Sequence, residues 1–107
     1  MSSSLELAMS LIASAGDSKS HSMEAIARAK EGRFEDAYAC IERARHAMVS
    51  AHDQQTDLIR SEVEGRGEAV SLLMVHAQDH LNGALLMREL AEEFVVLYQT
   101  LTGKEGG

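Results

Sequence analysis

Proline and tryptophan are absent from the 107-residue chain, and only Phe34, Tyr38, Phe94 and Tyr98 are aromatic. That shortage of helix breakers and strand formers, set against abundant Ala, Leu, Met, Glu and Arg, excludes a strand-rich fold and predicts long helices. A single cysteine, Cys40, excludes an intramolecular disulfide and suits a reducing compartment. It reads as a small buried hydrophobe. Basic charge is also scarce. Ten Lys and Arg face seventeen Asp and Glu, a net charge of −7, and an acidic surface is repelled by nucleic acid and by anionic membranes. No apolar run approaches the roughly 20 residues of a membrane span. Residues 2–4 form no basic n-region, and Glu6 interrupts the apolar stretch that follows, so no signal peptide is expected and the cytoplasm is the expected location.

What is present is helical periodicity punctuated by glycine. The length suits one domain, residues 1–107. Apolar spacing predicts helices over about 4–31, 34–64 and 69–101, each roughly 42–50 Å long at 1.5 Å per residue. Ser3 and Glu6 fit a capping box. Gly32, then Gly65 and Gly67, fit C-terminal stops. The first helix carries the stripe Leu5, Ala8, Ile12, Ala15, Lys19, Met23, Ile26, with Lys19 its one polar member. The second carries Phe34, Ala37, Ile41, Ala44, Met48, Ala51, Gln55, Leu58, a sustained 3–4 alternation in which Gln55 needs a buried partner. Phe34/Tyr38 and Phe94/Tyr98 read as core plugs near helix ends. Short connections make neighbouring helices antiparallel. The expected fold is all-α, an up-down-up three-helix bundle.

The third helix has more apolar surface than such a bundle needs. One seam runs Val70, Leu73, Ala77, His80, Ala84, Met87, Ala91, Phe94, Tyr98, Leu101; a second runs Leu72, His76, Asp79, Gly83, Leu86, Leu90, Leu97. A helix apolar on two sides is expected to bury both, and self-association around a symmetry axis is the economical way. Asp79 on the second seam would then meet copies of itself. Clustered carboxylates at low dielectric require protonation or a bridging cation. In the alternative, Asp79 faces solvent or pairs with a basic residue of another helix.

Within that helix the segment His76-Ala77-Gln78-Asp79-His80 concentrates the chemistry. His76 and His80 are four apart and share a face. Three readings fit. His76, His80 and Asp79 could ligate zinc or iron in a metal-binding bundle, although the segment lacks the glutamate of HExxH. A neutral imidazole could carry a phosphoryl group. Or the histidines are inert members of a packed interface in a helical adaptor. Spacing alone leaves all three open.

The stretch VSLLMVHAQDHLNGALLMRELAEEFVVLY, residues 70–98, resembles the signature helix of the lactose/cellobiose-type enzyme IIA family of the phosphoenolpyruvate-dependent sugar phosphotransferase system. AGDSKS at residues 15–20, MEAI at 23–26, AKEG at 29–32 and AHDQQT at 51–56 resemble further words of the same family. The resemblance implies a cytosolic phosphotransferase component that accepts a phosphoryl group from the phosphocarrier HPr and donates it to a cysteine of the IIB component during sugar uptake. It implies His76 as the phosphorylated residue, with Gln78 and His80 in support. It also implies a homotrimer, with the Asp79 residues around one Mg2+ on the threefold axis. Choice of sugar then lies outside this subunit. Where the family has HLMT, this chain has His80-Leu81-Asn82-Gly83; Gly83 loosens the helix or permits closer packing at the axis. His76 is expected in a shallow, partly exposed cleft between subunits. Leu73, Met74 and Leu81 around it form either an apolar docking rim or ordinary core. His21 and His46 are expected to face solvent, and His52 to be structural.

Overall fold

In a computed structural model, which describes residues 3–67 and 69–103, the chain folds into three helices: α1 (Ser3–Lys30), α2 (Phe34–Val63) and α3 (Leu72–Thr102). The described residues contain no strand, so the fold is all-α. The expected capping box rests on the Ser3 side chain, which lies outside the described residues, as does the tail at 104–107.

Two left-handed glycines end the first two helices. At Gly32 (φ 77°) the Gly32 N–H donates to the Ala29 carbonyl and the Arg33 N–H to that of Arg28. At Gly65 (φ 78°) the pattern repeats, with Gly65 to Glu62 and Arg66 to Ser61. Both are Schellman closures, which a residue with a Cβ would enter only with strain. The third helix starts later than expected. Ser71 caps it, its Oγ accepting the Met74 N–H at 3.1 Å. Val70 therefore precedes α3, lies exposed and drops out of the first seam.

The core forms two clusters. One joins Ala8, Leu11 and Ala15 of α1 with Met48 and Ala51 of α2 and Ala77, Leu81 and Ala84 of α3. The other joins Ala25 and Ala29 with Phe34, Ala37, Cys40 and Ile41, and with Ala91 and Val95. The expected α2 stripe holds: Phe34, Ala37, Ile41, Ala44, Met48 and Ala51 are buried, while Gln55 and Leu58 are half-buried.

The α1 stripe is corrected by about one position. Its buried residues are Ala8, Leu11, Ala15, Ser18, Ser22, Ala25 and Ala29, whereas Leu5 and Met23 are exposed. α1 packs extensively on both neighbours, while α2 and α3 touch each other less. The line facing both partners must therefore be small, and alanine and serine fill it. The Ser18 hydroxyl satisfies itself by donating to the Ala44 carbonyl at 2.9 Å. The first α3 seam is corrected too. Leu81, Val95 and Gln99 turn inward, and Phe94 and Leu101 turn out, so Phe94 is not a core plug. Gln99 accepts the Tyr38 hydroxyl at 2.9 Å, which tethers that aromatic to α3.

Leu81 is fully buried where all three helices meet. It is core, not part of a docking rim. Leu81→Ala is expected to cost about 2–5 kcal/mol, the transfer loss plus the cavity left behind, read as a lower midpoint in urea unfolding at unchanged slope.

Candidate functional site

α3 rotates its residues by about 100° each, and this sorts HAQDH into separate environments. Ala77 is fully buried and fixes the helix against the core. His76 and Asp79 are exposed, and Gln78 and His80 are half-buried.

The two histidines meet. Their ring centroids lie 4.4 Å apart with planes at 82°, and His80 Nε2 approaches His76 Nε2 at 3.0 Å. On its far side His80 Nδ1 lies 3.1 Å from Nζ of Lys19, which reaches over from α1. This three-residue line fixes protons. An ammonium has donors and no acceptor, so His80 Nδ1 must accept. The His80 proton then sits on Nε2 and is donated to His76. His76 Nε2 must offer a lone pair, which places the proton of the neutral ring on Nδ1. An exposed imidazole whose unprotonated Nε2 is covered only by a neighbouring N–H can act as a nucleophile once that hydrogen bond is exchanged for an electrophile.

Gln78 is turned away from His76. Its Oε1 accepts from Gln55 Nε2 at 2.7 Å, and its own Nε2 approaches the Met74 sulfur at 3.7 Å. Gln55 thus finds the partner its seam position demanded. Within one chain Gln78 is not brought to the histidine pair. Nor is Asp79: among the described residues no three His, Cys, Asp or Glu side chains could hold a metal ion together.

Asp79 instead sits on the second α3 seam, and that seam is uncovered. Leu72, Leu86, Leu90 and Leu97 are 48–86% exposed along it. Leucines at heptad spacing facing outward form a helix-packing surface without its partner in the single chain.

Lys19 was missed as a site residue. Its sequence signal was the polar break it made in the expected α1 stripe; the half-buried position one step off the true buried line explains that break. His46 and His52 are exposed, and His21 is half-buried, 4.0 Å from Glu24. Leu73 and Met74 are half-buried against the first core cluster. Cys40 is buried, and burial, helped by the charge of Glu24, pushes its thiol above the ordinary range. A thiol so held is a poor nucleophile.

No helix among the described residues is long and apolar enough to cross a membrane.

Comparison with known proteins places the sequence and the fold in a family. Residues 6–99 match the family model described as PTS system, Lactose/Cellobiose specific IIA subunit. The chain is 39% identical to a lichenan-specific phosphotransferase enzyme IIA component of Bacillus subtilis, over 94% of this chain and 92% of that one. Its fold is similar to the crystal structure of a PTS cellobiose-specific enzyme IIA from Bacillus anthracis, with a TM-score of 0.91, 39% identity and coverage of 98% and 96% of the two chains. It is also similar to the IIA(chitobiose) structure solved with HPr from the Escherichia coli phosphotransferase system, with a TM-score of 0.80, 36% identity and coverage of 95% and 99%. The chain belongs to the lactose/cellobiose-specific IIA family of the sugar phosphotransferase system.

Proposed function

We propose that this chain is a cytoplasmic phosphocarrier that takes a phosphoryl group from phospho-HPr onto Nε2 of His76. It then passes the group to a IIB component during uptake of a sugar of the lactose, cellobiose or chitobiose class. The observation that carries the reading is the exposed His76 ring whose Nε2 lone pair is presented by His80 and Lys19. A relative solved in complex with HPr supports the donor.

The step balances on one nitrogen. The His76 Nε2 lone pair forms the new N–P bond as the donor's N–P bond breaks, and that electron pair returns to the donor imidazole. His76 keeps its Nδ1 proton. The His80 Nε2–H, displaced from His76, donates to a phosphoryl oxygen. In the second transfer a IIB thiolate attacks phosphorus and the N–P electrons return to His76. Such transfers depend on in-line positioning and charge stabilisation more than on covalent help from the protein. Gln78, tied to Gln55 within its own chain, reaches a phosphoryl group only as a contribution from a neighbouring subunit.

The uncovered α3 seam supports a homotrimer of single-domain, up-down-up bundles. The end of α1 packs with the start of α2 and the later part of α3 in the second core cluster, and the start of α1 with the middle of α2 and the start of α3 in the first, which fits that topology. Closing three seams on an axis brings three Asp79 carboxylates together. Hard oxygen donors suit Mg2+, but one chain supplies a single carboxylate, so the fit exists only in the assembly. There the ion would offset two of the three negative charges.

The metal-binding alternative with His76 and His80 as ligands fares worse. A histidine that ligates through Nε2 carries a proton on Nδ1 and needs an acceptor there. His80 meets the Lys19 amine instead.

Incubation with phosphoenolpyruvate, enzyme I and HPr tests the proposal. One acid-labile phosphoryl group per chain is expected. Stoichiometric zinc or iron without any adduct would overturn it.

A further inference from the structure

We infer that Lys19 is a positioning residue for the phosphoryl relay, acting through His80 to hold His76 Nε2 unprotonated. The inference rests on the proposed phosphocarrier function for its consequence, and on geometry alone for the contact.

Four observations build it. Lys19 is half-buried, and among the described residues the one hydrogen-bond partner of its amine is His80 Nδ1, at 3.1 Å. It forms no ion pair within the described chain, although acidic residues are plentiful. A cation partly withdrawn from water with an imidazole as its acceptor dictates that imidazole's tautomer. Next, α3 lies directly against it. A Cβ at Gly83 would stand 3.6 Å from both Cε and Nζ of Lys19, so the amine end lies over the bare backbone of this glycine. Gly83, where the chain departs from the family pattern, thus borders the site. Further, the rotation of α1 is pinned one residue away, where the fully buried Ser18 donates to the Ala44 carbonyl. Lys19 is thereby aimed at α3 rather than free to swing. Finally, the line Lys19–His80–His76 ends on the exposed ring. When a phosphoryl group adds close to two negative charges there, the fixed cation behind His80 strengthens the His80 donor toward it in a chain whose net charge is already −7.

Nitrogen-15 spectra of the histidine rings test the contact directly, in mildly alkaline buffer where imidazole is neutral. The wild type is expected to show His80 protonated on Nε2 and His76 on Nδ1. Lys19→Met, with circular dichroism unchanged, is expected to give mixed tautomers at His80 and to slow transfer from phospho-HPr about tenfold. Lys19→Arg, whose guanidinium also can only donate, is expected to restore both. A wild-type His80 carrying its proton on Nδ1 overturns the inference. So does a Lys19→Met chain with unchanged tautomers and rate. Should Lys19→Met fail to fold, the wild-type tautomers and Lys19→Arg still decide it. A wild type that shows the expected tautomers but accepts no phosphoryl group overturns the proposed function and leaves the Lys19 contact standing.

Discussion

Replacing His76 with alanine is expected to abolish phosphoryl uptake from phospho-HPr, a loss of at least about 10³-fold, while His80→Ala slows transfer without ending it. The two histidines differ in what the fold asks of them. His76 is exposed, and one exposed contact, the His80 Nε2–H, is all that its Nε2 lone pair must exchange for phosphorus. His80 is half-buried between Lys19 and His76, with both ring nitrogens already engaged. Only the first can meet a phosphorus atom carried on another protein. Neither substitution should unfold the chain, because the buried contacts of this turn are made by Ala77 and Leu81. Unfolding midpoints close to wild type are therefore expected for both, which separates lost chemistry from lost structure. Phosphoryl uptake that survives His76→Ala and vanishes in His80→Ala would invert the assignment.

Asp79→Leu is expected to leave the proposed trimer intact and to raise its stability by roughly 1–4 kcal/mol, the range seen when buried ionic groups give way to well-packed apolar ones. Asp79 is the acidic member of a seam that also carries His76 and Gly83 and is otherwise lined by Leu72, Leu86, Leu90 and Leu97. In the proposed trimer its carboxylate would meet two others on the axis, and desolvation together with mutual repulsion would oppose assembly unless a cation intervened. Leucine removes the opposition and extends the apolar contact. Two readouts follow. The wild-type melting temperature should fall on adding a chelator, and that of Asp79→Leu should not. Sedimentation should give the same trimer for both. Dissociation of the variant to monomers would show that the cation bridge, rather than leucine packing, holds the assembly together.

The overall architecture was legible because its signals are local. Glycine at 32 and 65 marks helix ends through backbone geometry that only it adopts without strain. The α2 stripe was read correctly since that helix buries one regular line of mostly apolar residues. α1 misled because periodic large residues suggested the buried face, whereas a helix packed on both neighbours buries its small ones, and Ser18 and Ser22 are indistinguishable from surface serines without coordinates. α3 misled at its start, where Ser71 rather than the first apolar residue opens the helix. At the site, the pairing of His76 with His80 follows from four-residue spacing. The Lys19 contact spans 61 positions of sequence, and the Gln55–Gln78 contact spans 23. Lys19 and Gln55 each show in the sequence as a polar break in an apolar stripe, but the distant partner leaves no periodic trace. The uncovered second seam was legible as an excess of leucine, and it lies outward in the single chain.

The most direct measurement is the position of the phosphoryl group. Phosphorylated chain, kept at alkaline pH because phosphohistidine is acid-labile, can be digested and mapped by mass spectrometry, with phosphorus-31 spectra identifying the ring nitrogen. The expected result is one group per chain, bonded to Nε2 of His76. A phosphoryl group on His80, on another residue or on Nδ1 of His76 would contradict the relay described above.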